Sequence, residues 1–131
     1  MGKKSYTNGR KFEEALCKYF AEKDYYVIYN EKGVAGSQPV DIVIIKNNIA
    51  TMIEAKNLEN YNGVFNLDRV EQNQVLAYNR YRECQNYNFV LAIYHDNKVW
   101  FIDFGLLPLY NKSIDLKQIE PNIVDFYKED K

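Results

Sequence analysis

The spacing of apolar positions changes period several times along the chain. Between residues 8 and 24, Phe12, Ala15, Leu16, Tyr19 and Phe20 recur at three- and four-residue steps, the stripe of one helix face. Asn8 or Gly9 stands near its expected start. "YYVIYN" reads as a short strand, and "EKGVAGSQP" as a Gly-rich loop closed by Pro39. Two apolar runs, 40–46 and 49–56, flank Asn47-Asn48 and predict a hairpin with a two-residue turn. "NLENYNGVFN" reads as a loop. A second helix is expected over 67–82, with Leu67, Val70, Ala77, Tyr78 and Tyr81 on one face. "NFVLAIY" and "KVWFIDF" predict a second hairpin around "HDN". The remainder is irregular apart from a short helix near 116–119. The order α-β-β-β-α-β-β predicts a mixed α/β (α+β) domain, its central mixed sheet flanked by helices. The 131 residues fit a single domain over 1–131, with a core at about 8–119 and a tail at 120–131.

Within this pattern some polar residues fall on the wrong side. A two-residue turn at Asn47-Asn48 pairs Lys46 with Ile49 and, counted outward, sets Asp41 opposite Glu54. Two carboxylates facing each other between apolar strands repel, and desolvation raises the cost. A shared proton or a divalent cation would offset it. Lys56, two residues past Glu54, points to the same face. The plain alternative is an Asp41–Lys56 bridge at a strand end, with Glu54 in solvent. On the first helix Glu13 lies at the edge of the apolar stripe, between Phe20 and Cys17 in projection. Glu14 projects outward with Lys18, an ordinary surface pair. For Glu13 the plain alternative is a first-turn carboxylate favoured by the helix dipole. Gln74 lies inside the buried stripe of the second helix and needs partners: a backbone group, a water or a carboxylate. Taken together, Glu13, Asp41, Glu54, Lys56 and Gln74 outline a metal-assisted hydrolytic site. Mg²⁺, with Mn²⁺ as a substitute, takes one or two carboxylates plus water and substrate phosphate.

Composition narrows the classes. Net charge is −1, not the strongly basic balance of a non-specific nucleic-acid binder. Six basic residues in 1–23 face Glu13, Glu14 and Glu22, so a polyanion would meet the N-terminal side, where Lys3, Lys4, Arg10 and Lys11 are the candidate phosphate contacts. Tyrosine is abundant, with 12 residues, some in Asn/Tyr-rich stretches such as "NYNGVFN". Coding bias and amphipathic core edges explain this more simply than stacking on bases. Cys17 and Cys84 read as free thiols of a reducing compartment. There is no apolar run of the roughly 20 residues a membrane span needs. The N-terminus has no secretory core, and Tyr6 replaces the Ser or Thr of a myristoylation signal. A cytoplasmic protein is expected, in a host's cytoplasm if the gene is phage-borne. His95, the single histidine, reads as a solvated turn residue, which argues against histidine-centred hydrolysis or a zinc site. Trp100 sits at core spacing, and no GxxxxGK phosphate loop occurs.

"PVD" followed by "EAK" resembles the PD-(D/E)xK nuclease signature, and the chain resembles the RecU-type and archaeal-type Holliday junction resolvases of that superfamily. "NGRKFEE" is similar to their N-terminal Gly-x-x-x-Glu and selects Glu13. "FNLDRVEQNQ" is similar to their downstream helix, whose glutamine falls on Gln74. "GSQPVDIVI", "NFVLAIYHDNKVWFIDF" and "KSIDLKQI" extend the resemblance from about residue 8 to about 119. It implies a restriction-endonuclease-like core and an Mg²⁺-dependent, structure-selective DNA endonuclease acting on four-way junctions in recombination and repair. Asp41, Glu54 and the Ala55 carbonyl would be metal ligands, joined by Glu13. Lys56 would serve the nucleophile, Gln74 would support the site, and Ser37 matches a catalytic serine of the archaeal type. Resolvases cut symmetrically, which implies a homodimer. Two features depart from the family. The loop before Asp41 is too short for the RecU-type stalk, and the chain is not basic. Both bear on which DNA is cut, not on the chemistry. Alternatives are another nuclease of the superfamily (restriction, repair or VRR-type) acting on duplex or flap DNA, or a non-catalytic DNA-binding relative.

Overall fold

A computed structural model describes residues 2–30 and 40–127, with side chains from Gly9 onward in the first segment. Ser37 and the side chains of Lys3 and Lys4 lie outside the described residues. Helix α1 (Gly2–Ala21) is followed by strands β1 (Tyr26–Tyr29), β2 (Ile42–Lys46) and β3 (Ile49–Asn57). A short β4 (Val64–Asn66) and a 3₁₀ turn at Leu67–Arg69 lead into α2 (Gln72–Glu83). Strands β5 (Phe89–His95) and β6 (Lys98–Asp103) complete a five-stranded mixed sheet of order β1-β2-β3-β5-β6. β3 and β5 run parallel, joined through α2, while the other neighbours are antiparallel. β7 (Ser113–Asp115) pairs with β4 in a separate two-stranded ribbon.

The hairpins form where the turn residues predicted them. Asn47 and Asn48 take φ of 54° and 67°, and Asp96 and Asn97 take 52° and 59°, the left-handed values of a type I′ turn. Lys46 pairs with Ile49 and Ile42 with Ile53. β2 begins at Ile42, and just before it the Asp41 N–H donates to the Ile53 carbonyl at 3.2 Å.

Side-chain alternation gives the sheet two buried faces. Ile42, Ile44, Ile53, Ala55 and Ala92 pack against Phe12, Leu16 and Phe20 of α1. Leu91, Ile93 and Phe89 form the other core with Phe65, Trp100, Phe104 and Leu116, and Ala77, Tyr78 and Tyr81 of α2 pack onto it. Each fully buried Phe, Leu or Ile contributes about 1.5–3 kcal/mol. Trp100 is buried, as its core spacing predicted, and its indole donates to the Ile119 carbonyl at 2.8 Å.

Five expectations need correction. Helix α1 begins at Gly2, ahead of Asn8, because a helix docked by its later turns extends backward at little cost even without an apolar stripe. α2 begins at Gln72 rather than 67: Val70 and Glu71 are extended, and Glu71 caps the helix in a reciprocal box with Gln74. β4 arises inside the expected loop, since a three-residue strand is too short to show alternation. His95 ends β5 half-buried, its Nδ1 3.3 Å from the Leu58 carbonyl, rather than standing in a solvated turn. Glu14, expected to pair with Lys18, reaches one turn back to Arg10 at 3.2 Å.

Residues 122–127, beyond the core expected at 8–119, also pack on the sheet. Val99 bridges Ile123, and the Phe126 N–H donates to the Asn97 carbonyl at 2.9 Å. The Phe126 ring meets Phe12 edge-on at 5.7 Å. The two cysteines are free. Among the described residues no helix is long and apolar enough to cross a membrane.

Candidate active site

The carboxyl end of β3 is the usual place for a site in a sheet with parallel strands. A cleft of about 440 Å³ opens there, lined by Glu13 and Arg10 of α1, Tyr29 of β1, Ala55 and Lys56 of β3, and Arg69. Glu13, Asp41, Glu54 and Gln74 are the buried polar side chains, at 5%, 3%, 2% and 6% exposure. All four were singled out in the sequence.

Each has a specific tie. The Ala55 N–H donates to Asp41 Oδ2 at 2.9 Å, locking the aspartate onto the strand it faces. Gln74 Nε2 donates to Glu54 Oε2, and Gln74 Oε1 accepts the Glu71 N–H at 2.9 Å. One amide therefore starts α2 and fixes Glu54. Lys56 Nζ lies 3.5 Å from Glu54 Oε2, its side chain 12% exposed. With Glu54 buried, the alternative of an Asp41–Lys56 bridge and a solvated Glu54 fails. Glu13 is likewise no solvated first-turn carboxylate: it lies in the second half of α1 and accepts from the Tyr29 hydroxyl at 2.8 Å. Tyr29 was missed in the sequence, where nothing marks one tyrosine of 12. Burial, then the bond to Glu13, raises its phenol well above the ordinary value. Arg69, also missed, is stacked 5.2 Å from the Phe65 ring and donates to the Asn57 carbonyl at 3.3 Å. Burial lowers the Arg69 guanidinium from its ordinary value, against the raising effect of Glu59 and Asp68.

Removing the Gln74 amide should be costly to the fold. Gln74→Ala removes one half of the α2 capping box and strips the buried Glu54 of a donor. A hydrogen bond to a charged group is worth about 1.5–3 kcal/mol. A drop of that size in denaturant stability is expected, and a change within error would sink the role assigned to the bond.

Cys17, one turn along α1 from Glu13, reports on the same region. Burial, followed by the Glu13 and Glu14 carboxylates, pushes its thiol up from 9.0 to about 11. The raised value stabilises the folded, protonated form at low pH and is lost as pH climbs from 9 towards 11. At pH 8 a maleimide should label exposed Cys84 well before Cys17. Equal rates in peptide mapping would contradict this environment.

The Asp41 and Glu54 carboxylates are oxygen donors of the kind a hard cation takes. Among the described residues no group of three or more His, Cys, Asp or Glu could hold a metal ion by itself. Two carboxylates leave the rest of a cation's shell to water and phosphate, the arrangement Mg²⁺ commonly takes.

The fold is a mixed α+β layer structure, with helices covering a central five-stranded mixed sheet. It is similar to that of Archaeoglobus fulgidus Hjc, a Holliday junction resolvase from an archaeal hyperthermophile, with a TM-score of 0.60. The match covers 82% of this chain and 86% of that one at 18% sequence identity, a likeness of fold. No family model matches the sequence. No curated protein matches it either.

Proposed function

We propose that the protein is a Mg²⁺-dependent, structure-selective DNA endonuclease, with a four-way junction as its substrate. One observation carries the reading: two buried carboxylates stand together at the β2–β3 hairpin, Asp41 bonded to the Ala55 N–H at 2.9 Å and Glu54 3.5 Å from the Lys56 ammonium. The PD-(D/E)xK resemblance of "PVD" and "EAK" and the Hjc-like fold support it. Asp41, Glu54 and the Ala55 carbonyl would hold the cation, and Glu13 would complete the acidic set from α1. A divalent ion there supplies charge that neutralises the phosphodiester and favours ionisation of water. Lys56 would orient the attacking water and stabilise charge developing on phosphorus. Gln74 keeps Glu54 aimed and Tyr29 keeps Glu13 aimed. Arg10 and Lys11, with Lys3 and Lys4, would draw the DNA backbone to α1. Symmetric cutting calls for a two-fold homodimer, checked by sedimentation.

The test is incubation with Mg²⁺ and labelled four-way junction, flap, linear duplex and single strand. Paired symmetric nicks confined to the junction are expected. Cutting of linear duplex would move the reading to another nuclease of the superfamily. No cutting of any of the four would overturn it.

A further inference from the structure

The ridge formed by residues 57–60 lines the first cleft and also a second, of about 620 Å³, on its other side. The second cleft has different chemistry. Its wall carries the rings of Tyr61, Tyr94, His95 and Tyr127. Tyr94 and Tyr127 are tilted against each other with centroids 5.1 Å apart, and Lys11 Nζ stands 4.8 Å over Tyr127. Tyr127 is pinned by its N–H to Asn97 Oδ1 at 2.7 Å.

Tyr61 is different, being 98% exposed. The turn that presents it is nevertheless firmly built. The Asn60 side chain accepts from the Gly63 N–H and donates to the Val64 carbonyl, each at 3.0 Å. Lys117 Nζ donates to the Asn62 carbonyl, and the Leu116 N–H donates to the Gly63 carbonyl at 2.9 Å. Gly63 takes φ +72°, where a side chain would be strained. A fixed turn thus holds a bare aromatic ring in water at the rim of an aromatic cleft.

The charges lining the cleft discriminate between the parts of a nucleotide. Glu59 and Asp96 would repel a phosphate, whereas carboxylates accept from the exocyclic amines of bases. Lys11 offers the phosphate-binding counterpart at the Tyr127 side. With a net charge of −1, phosphate attraction alone is a weak source of affinity, and stacking supplies what it lacks.

We propose that the second cleft takes an unpaired nucleobase, with Tyr61 stacking on it, from the strand whose phosphodiester lies in the first cleft. The inference rests on the nuclease reading of that first cleft. It makes the preferred substrate a DNA with an unpaired nucleotide beside the branch or cut site.

The test uses the full chain in EDTA and a junction bearing 2-aminopurine next to the branch point, either unpaired or paired. Wild type should quench the unpaired probe and bind that junction about tenfold more tightly, within the roughly 5- to 150-fold that one stacked base supplies. Tyr61→Ala should lose both effects and Tyr61→Phe keep both. Equal affinity of wild type for the two junctions, or full quenching by Tyr61→Ala, overturns the proposal. The same protein is then given Mg²⁺. Cutting without quenching rejects the base cleft and leaves the nuclease reading. Quenching without cutting of any substrate rejects the nuclease reading and leaves a base-binding cleft.

Discussion

Asp41→Asn should abolish metal-dependent cleavage while leaving the metal-free protein as stable as wild type or more so. The two outcomes have one cause. Asp41 is bonded to the Ala55 N–H, next to Glu54, and the two carboxylates are 3% and 2% exposed, so without a cation their charges oppose folding. An asparagine amide can still accept the Ala55 N–H through its carbonyl oxygen, so the local hydrogen bond survives. The repulsion does not. Loss of the ligand should lower cleavage by at least about 10²–10³-fold, the scale seen when a single charge-stabilising group is removed. Thermal unfolding with and without Mg²⁺ or Mn²⁺ provides the second readout. Wild type should gain stability by mass action, about 2.7 kcal/mol at a hundred times the dissociation constant. Asp41→Asn should gain nothing. Unchanged cleavage, or an equal metal-induced shift in the variant, would remove Asp41 from the site.

The largest loss of stability is expected at Phe12. This ring is 1% exposed and packs with Leu16 and Phe20 on the β2–β3 face of the sheet, with Tyr94 at 5.5 Å and Phe126 at 5.7 Å. It is the neighbour of Glu13 on α1, so it ties the fold to the site. Phe12→Ala should cost about 3–5 kcal/mol, the range for truncating a buried aromatic ring. Against a typical domain stability of about 5–15 kcal/mol, that is a large fraction. The measurement is the chemical-denaturation midpoint at constant slope. Glu13→Gln is the control: it keeps the acceptor for the Tyr29 hydroxyl and should change stability far less than Phe12→Ala. A loss below about 1 kcal/mol for Phe12→Ala would mean that α1 docks by other contacts.

The sequence exposed most of this architecture through period and turn chemistry. The Asn47-Asn48 turn set the register of β2 and β3, and one slip would have turned Asp41 and Glu54 to the opposite face. Glu13 was found because a helical projection places it at the edge of the Phe12–Leu16–Phe20 stripe. Gln74 was found because it interrupts an apolar face. The start of α2 was also legible, in the Glu71/Gln74 capping pair, but the longer apolar stripe drew the expectation back to 67. β4 and β7 were not legible. Each is three residues long and exists because Phe65 and Ile114, both wholly buried, meet from chain positions 49 apart. Tyr29 and Arg69 were invisible for a related reason: each gains its part from a neighbour supplied by another element.

By itself the sequence determined where the strands and helices run, which face of each helix turns inward, and that Glu54 and Lys56 share one side of a strand. These follow from local geometry, because strand and helix periods and a two-residue turn act over a few positions. Only the tertiary structure decided what those side chains meet. Gln74 reaches Glu54 across 20 positions, Tyr29 reaches Glu13 across 16, and residues 57–60 become a wall between two clefts. Contacts of that kind depend on how layers pack, and packing is a property of the whole chain rather than of any window within it.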